Sequence, residues 1–207
     1  MIQPPGFRGV AFTSARHGDL RNDVAARRAV SARLAIADAW ATVQQVHGGV
    51  VLEAGGPGSL GEADSIYTSQ SGVPIAAFTA DCLAVVLEAD LGVGIAHAGW
   101  RGVAAGVVDN LRATMESAGW NLLRSAIGPG IGPCCFEVGP EVAARFPANT
   151  STTTWGTPSV DLAAAVASRL DGSEVWRAEA CTRCSDEFFS HRRDATPARM
   201  AGIAWLP

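Results

Sequence analysis

Short apolar runs separated by glycine, proline and polar residues dominate the chain, and their periods divide it into strands and helices. Residues 9–14, 74–79, 83–88 and 92–97 are nearly continuous apolar runs, as buried strands require. Residues 40–46 and 50–54 read as strands flanking His47-Gly48-Gly49, and residues 123–127, 173–178 and 200–206 as three more. Helical spacing is clearest over residues 101–118, where Val103, Val107, Leu111 and Met115 form one stripe and Gly119 supplies the stop. Residues 22–37 predict a helix capped by Asn22 or Asp23, and residues 140–146 and 160–170 predict two further helices. Residues 55–59 and 128–133, rich in glycine and proline, read as loop and rigid turn. Strands and helices mix without strict alternation, so the expected fold class is α+β and layered rather than doubly wound.

At 207 residues the chain is expected to form a single domain over 1–207. A hydrophobic content of 48% against 17% charged residues argues for a substantial core and against disorder. The net charge of −4 gives no reason to expect nucleic acid or an anionic membrane as partner. No apolar stretch is long enough to span a bilayer. The first residues, Met1-Ile2-Gln3-Pro4-Pro5-Gly6, lack the basic start and apolar centre of a signal peptide, so a cytoplasmic location is the default expectation. All 16 basic residues are arginine, which excludes Schiff-base and P-loop lysine chemistry and leaves arginine or backbone N–H groups to hold any anion.

The polar residues that close the apolar runs carry the chemistry. His47, Cys82 and His97 each fall at an apparent strand end, and a His/Cys/His set is what a catalytic zinc uses when one coordination position stays open. A metal-free Cys–His nucleophilic pair competes with that reading, and the second histidine favours metal. Arg101 opens the clear helix in Gly99-Trp100-Arg101-Gly102, either as part of an anion site or as a residue that only caps structure or pairs with an acid. Asp81, beside Cys82, is either an orienting partner of a ligand or a turn acid. The glycines of residues 128–132 suit a dinucleotide loop poorly, because prolines interrupt them and no helix follows. Cys134-Cys135 and Cys181-x-x-Cys184 raise a four-thiolate zinc site, but adjacent cysteines rarely both ligate one ion. Small buried residues near a structured loop are the reading the sequence favours. His191 and its arginine neighbours in residues 188–194 read as ion pairs that tie down the last strand rather than as a site.

Five motifs together resemble the YfiH/DUF152 family, also called the laccase-domain or multicopper polyphenol oxidoreductase family. They are Gln45-Val46-His47-Gly48, Thr79-Ala80-Asp81-Cys82, residues 96–102 (His-Ala-Gly-Trp-Arg-Gly from His97), residues 127–139 around Cys134-Cys135-Phe136-Glu137, and residues 188–194. The resemblance covers nearly the whole chain. It implies an α/β/β/α sandwich with mixed sheets and a zinc held by His47, Cys82 and His97, with copper as the alternative metal. It further implies a purine nucleoside phosphorylase that uses phosphate, with adenosine deamination as a second activity. Polyphenol oxidation and a regulatory or peptidoglycan-editing role with little catalysis are the alternatives. In that reading Cys82, Arg101 and Asp81 are catalytic, Gln45 and Arg101 contact substrate, and the partners are small nucleosides and phosphate. The chain departs from the family pattern in a shorter segment before the first helix and in residues 194–199, which replace a glycine-containing turn.

Overall fold

Side chains alternate across the central strands so that nearly every one is apolar on both faces, the pattern of strands covered on each side. The computed structural model describes all residues, 1–207. In chain order its strands are β1 (Val10–Phe12), β2 (Ala41–Gln44), β3 (Val51–Glu53), β4 (Gly58–Glu62), β5 (Ser65–Thr68), β6 (Ile75–Thr79), β7 (Leu83–Ala89), β8 (Val93–Ala98), β9 (Leu122–Ile127), β10 (Thr150–Thr152), β11 (Pro158–Val160), β12 (Glu174–Arg177) and β13 (Met200–Ala204). The helices are α1 (Val24–Leu34), α2 (Trp100–Ala104), α3 (Val107–Ser117), α4 (Pro140–Ala143), α5 (Leu162–Ala167) and α6 (His191–Asp194).

Two mixed sheets lie face to face. One has the order β1-β13-β6-β2-β4, the other β12-β9-β7-β8-β5-β3, and β10 and β11 form a small separate hairpin. Between the sheets, Val10 and Phe12 of β1, Ile75 and Ala77 of β6, Ala84 and Val86 of β7, and Val93 and Ile95 of β8 share one cluster. The intervening residues point outward. Ala11, Ala76, Phe78 and Ile203 pack with Val30 of α1. Leu83, Val85 and Leu87 pack with Leu111 and Met115 of α3 and with Leu162 and Val166 of α5. The result is the expected four-layer α/β/β/α sandwich. Each fully buried branched or aromatic side chain contributes roughly 1.5–3 kcal/mol, which makes these three cores the main source of stability. The sheets approach closely where side chains are smallest: a Cβ at Gly202 would lie 2.5 Å from that of Ala84.

Asp23, not Asn22, caps α1. Its carboxylate accepts from the N–H groups of Ala25 and Ala26, while Asn22 donates to Asp19. The single helix expected over residues 101–118 is instead two. Gly106 takes a left-handed conformation (φ 78°) between α2 and α3, which only glycine adopts cheaply. The stripe survives the break, and Val103, Val107, Leu111 and Met115 are all buried. The other differences are local. The loop expected over residues 55–59 runs into β4, β5 and the β10–β11 hairpin were not foreseen, and the helices expected at 140–146 and 160–170 contract to α4 and α5. Gly128 and Gly130 serve packing rather than a nucleotide. A Cβ at either would come 2.4 Å from Phe12 or Leu83 respectively.

Candidate metal centre and cleft

The antiparallel register of β7 with β8 pairs Leu83 with Ala98 and Ala84 with His97. One step beyond, Cys82 therefore faces Gly99. That glycine leaves room for the sulfur, since a Cβ there would lie 2.9 Å from Cys82 Sγ and 3.1 Å from the His47 ring. His47 arrives from the other sheet, in the loop after β2. The nitrogen and sulfur atoms of His47, Cys82 and His97 all lie within 4.8 Å of one another. The two imidazoles meet edge to face with centroids 4.9 Å apart. His97 is buried, Cys82 half-buried and His47 exposed, so the set opens to solvent on one side.

Asp64, a residue the motif reading passed over, organises all of this. Its carboxylate is fully buried and bonds His97 Nδ1 at 2.8 Å. It also accepts from the backbone N–H groups of Val46, His47 and Gly48 at 3.1, 3.0 and 2.6 Å. One carboxylate thus orients a histidine directly and fixes the loop that carries the second. This is the outer-shell pairing that metal-ligating histidines use. Asp64 reaches this position because it immediately precedes β5, which pairs with β8 so that Ser65 opposes Ala96. The sequence signals only the strand behind it, since Ile66-Tyr67-Thr68 is a β-branched and aromatic run. Gly49 completes the loop. A Cβ there would lie 2.7 Å from the Ala105 carbonyl oxygen, and Asn110 donates to the Gly49 carbonyl at 2.8 Å. His47 itself sits at φ 61° and Asp81 at φ 82°, left-handed conformations costing roughly 1–2 kcal/mol each for a non-glycine residue.

The charges follow from this packing. Burial pushes the Cys82 thiol up, but hydrogen bonds from His47 and His97 outweigh it and bring it down to about 6. Burial pushes the His97 imidazolium down, but Asp64 and Cys82 lift it to about 9. Burial also raises Asp64, while the bonds from His97 and the Gly48 N–H hold it below the usual carboxylate range. Thiolate is the form of cysteine that binds metal. Two imidazoles, a thiolate, the Gly99 gap and the Asp64 brace fit a zinc ion with an open position.

Above these three residues lies an open cleft of about 350 Å³. Phe78, Trp100, Ile131 and Phe136 provide apolar walls, and Arg21, Arg101, Arg192 and Arg199 provide cations, with His191 among them. Arg101 stacks on Trp100, its guanidinium carbon 4.4 Å from the ring centroid. It forms no ion pair, so the reading in which it merely pairs with an acid has no support. Gln45 lines the cleft, but its amide is engaged by the Phe78 backbone: Nε2 donates to the Phe78 carbonyl and Oε1 accepts from its N–H. Asp81 also lines it, and its carboxylate accepts from Thr182 Oγ1 and the Arg192 N–H, both at 2.6 Å. Asp81 therefore anchors the wall, and the bond to a candidate ligand that was expected of Asp81 is made instead by Asp64 to His97. Residues 188–194 divide. Arg193 donates to the carbonyls of Thr182, Arg183, Ser185 and Phe188, a structural clasp, whereas His191 and Arg192 reach the cleft.

The four remaining cysteines, expected as small buried residues, come together. The sulfurs of Cys134, Cys135, Cys181 and Cys184 also lie within 4.8 Å of one another. They come from two turns, the first after β9 and the second after β12, joined by the parallel bridge Gly130–Cys181.

Four layers with a His/Cys/His set opening into an arginine-lined cleft define an α/β/β/α protein with a candidate metal centre at one end of its two sheets. Residues 9–207 match the family model described as multi-copper polyphenol oxidoreductase laccase, and the chain belongs to this family, which includes the YfiH proteins. The purine nucleoside phosphorylase SCO2081 of Streptomyces coelicolor is 37% identical, with 91% of this chain and 85% of the relative covered. The purine nucleoside phosphorylase YfiH of Escherichia coli is 36% identical over 79% of this chain and 72% of its own length. The crystal structure of YlmD from Geobacillus stearothermophilus superposes with a TM-score of 0.85 at 27% identity, covering 99% of this chain and 94% of that one.

Proposed function

We propose that the protein is a zinc-dependent purine nucleoside phosphorylase, taking adenosine or inosine with phosphate to the free base and ribose 1-phosphate. The observation that carries this reading is the meeting of His47, Cys82 and His97 at the floor of a cleft with aromatic walls and four arginines. Phe78 and Phe136 offer flat apolar surface to a purine, with Ile131 beside them. Arg101, stacked on Trp100 and free of any acid, is the group best placed to hold phosphate. In the reaction a phosphate oxygen forms a bond to the anomeric carbon, the bond from that carbon to the purine nitrogen breaks, and its electron pair leaves with the base. Arginines on the cleft wall balance the charge of the entering phosphate and fix its line of approach. A zinc ion held by His47, Cys82 and His97 would supply Lewis acidity at the cleft floor. Adenosine deamination at the same floor is the second activity in this proposal.

Copper-dependent phenol oxidation is less well supported. Conventional multicopper sites need many imidazoles. Of the four histidines here, two form the candidate ligand set, His191 lies on the cleft wall, and His17 bonds Ser14 elsewhere. The test is a product assay of zinc-loaded protein with adenosine or inosine, with and without phosphate. Phosphate-dependent release of adenine or hypoxanthine with ribose 1-phosphate is expected. Absence of base release from both nucleosides overturns the proposal. Arg101→Ala should raise the KM for phosphate by roughly 10–100-fold, the loss of one charge-assisted contact, with a smaller effect on nucleoside. An unchanged phosphate dependence would assign Arg101 a structural role.

A further inference from the structure

We propose that Cys134, Cys135, Cys181 and Cys184 bind a second metal ion, a tetrahedral four-thiolate zinc that ties two walls of the cleft together. The site is separate from the cleft's histidines and shares no residue with them. Zinc–sulfur bonds of about 2.3 Å place the sulfurs of a tetrahedral site roughly 3.8 Å apart. Here Cys135 and Cys184 sulfurs are 3.2 Å apart, Cys134 and Cys184 sulfurs 3.5 Å apart, and all four lie within 4.8 Å. The observed spacings bracket the single-ion value. An iron–sulfur cluster would insert irons and sulfides between the thiolates and spread them. All four are free thiols, and the separations of 3.2 and 3.5 Å are well beyond the roughly 2.0 Å of a disulfide bond.

The backbone answers the objection that adjacent cysteines rarely share an ion. The Cys135 and Phe136 N–H groups both donate to the Gly132 carbonyl, a tight turn that brings consecutive cysteines toward one point. The Gly132 N–H in turn donates to Cys181 Sγ at 3.2 Å. The second turn closes similarly, with the Ser185 N–H on the Cys181 carbonyl. Arg183 lies inside that turn, and its buried Nε has no hydrogen-bond partner. Its guanidinium stacks on the Trp155 ring, 4.5 Å from the centroid, which helps to fix the turn.

Position gives the ion its consequence. Cys135 adjoins Phe136 of the cleft wall, and the second turn leads through the Arg193 clasp to His191 and Arg192. A metal at the crossing holds both walls in register without touching substrate. The four thiols meet only in the folded chain, so binding also contributes folding free energy.

The test is zinc counting by native and elemental mass spectrometry on protein purified reduced and without chelator. About two zinc ions per wild-type chain are expected. Cys184→Ser should keep only one and lower the midpoint of thermal unfolding, the exposed position of Cys184 favouring a folded variant. Cobalt(II) in wild type should show the intense thiolate charge-transfer bands of a sulfur-rich tetrahedral site, largely lost in Cys184→Ser. Peptide-level alkylation of wild type keeps the test decisive if that variant misfolds, because zinc should shield all four cysteines until a chelator is added. Equal zinc content in wild type and variant, free alkylation of the four cysteines in zinc-loaded protein, or a Cys135–Cys184 disulfide in freshly reduced protein overturns the proposal.

Discussion

The two thiol-containing clusters are alike in span and opposite in construction. In the cleft, each residue comes from a different segment, the set is open on one side, and a buried carboxylate braces two of its three members. In the cysteine cluster, two turns supply two residues each, and the sulfurs face one another with a single backbone N–H, from Gly132, on one of them. Open, externally braced sites suit a metal that meets substrate, and closed ones suit a metal that holds chain segments together. The difference teaches that a ligand set is read less by its spacing than by what supports it.

Emptying the cleft site is the change with the largest expected effect. Cys82→Ala and His97→Ala should each abolish stoichiometric zinc there while leaving any zinc at the cysteine cluster. His97→Ala should in addition lower stability by about 3 kcal/mol, because it leaves the buried Asp64 carboxylate without its partner. Elemental analysis and chemical denaturation measure the two effects separately. Full cleft occupancy in both variants would remove these residues from the ligand set.

Asp64→Asn sharpens the comparison next. It keeps the shape but loses the charge beside His97 and an acceptor for the loop N–H groups, so zinc affinity of the cleft should fall roughly 10–100-fold. Competition with a chromophoric chelator reads this directly. Unchanged affinity would make Asp64 a fold residue only. Gly99→Ala should follow in size, since the new Cβ would press on Cys82 Sγ at 2.9 Å and must displace it. Overpacking of this kind costs roughly 1–3 kcal/mol, and here it should appear mainly as weakened metal binding. Wild-type affinity in Gly99→Ala would show that the gap is not needed.

The grouping of His47, Cys82 and His97 was legible because histidines are scarce in this chain and two of them close clear apolar runs. The layered fold was legible for the same reason, strong local periods over β6, β7, β8 and α3. Asp64 was not, because its importance lies in long-range pairing: β5 must stand beside β8 before the carboxylate meets His97. The cysteine cluster was raised by the spacing and then set aside, since about 50 residues separate its halves and only the β9–β12 pairing, continued by the Gly130–Cys181 bridge, brings them together. The broken helix at Gly106 shows the opposite limit, a correct buried stripe that carried no information on backbone continuity. Gln45 and Asp81 were placed at the cleft by motif, yet their polar atoms are engaged by Phe78, Thr182 and Arg192.

The smallest effect separates strain that accompanies function from strain that does not. Four non-glycine residues have positive φ: His47 and Asp81 at the cleft, and Ala35 and Ala195 at helix ends. Asp64 holds His47 in place, and Thr182 and Arg192 hold Asp81, so the site itself supports both conformations. Ala35 follows α1 at φ 55° on the far side of one sheet and contributes nothing to the cleft. Glycine at this position removes the left-handed penalty and returns part of it as lost chain entropy, a net gain of roughly 0.5–1 kcal/mol. Ala35→Gly should therefore raise the unfolding midpoint by about 2 °C with zinc content and activity unchanged. His47→Gly relieves the same backbone strain but deletes an imidazole, so it should lose cleft zinc. A lower midpoint in Ala35→Gly would mean that the helix end is not strained, and the contrast with His47 would lose its reference.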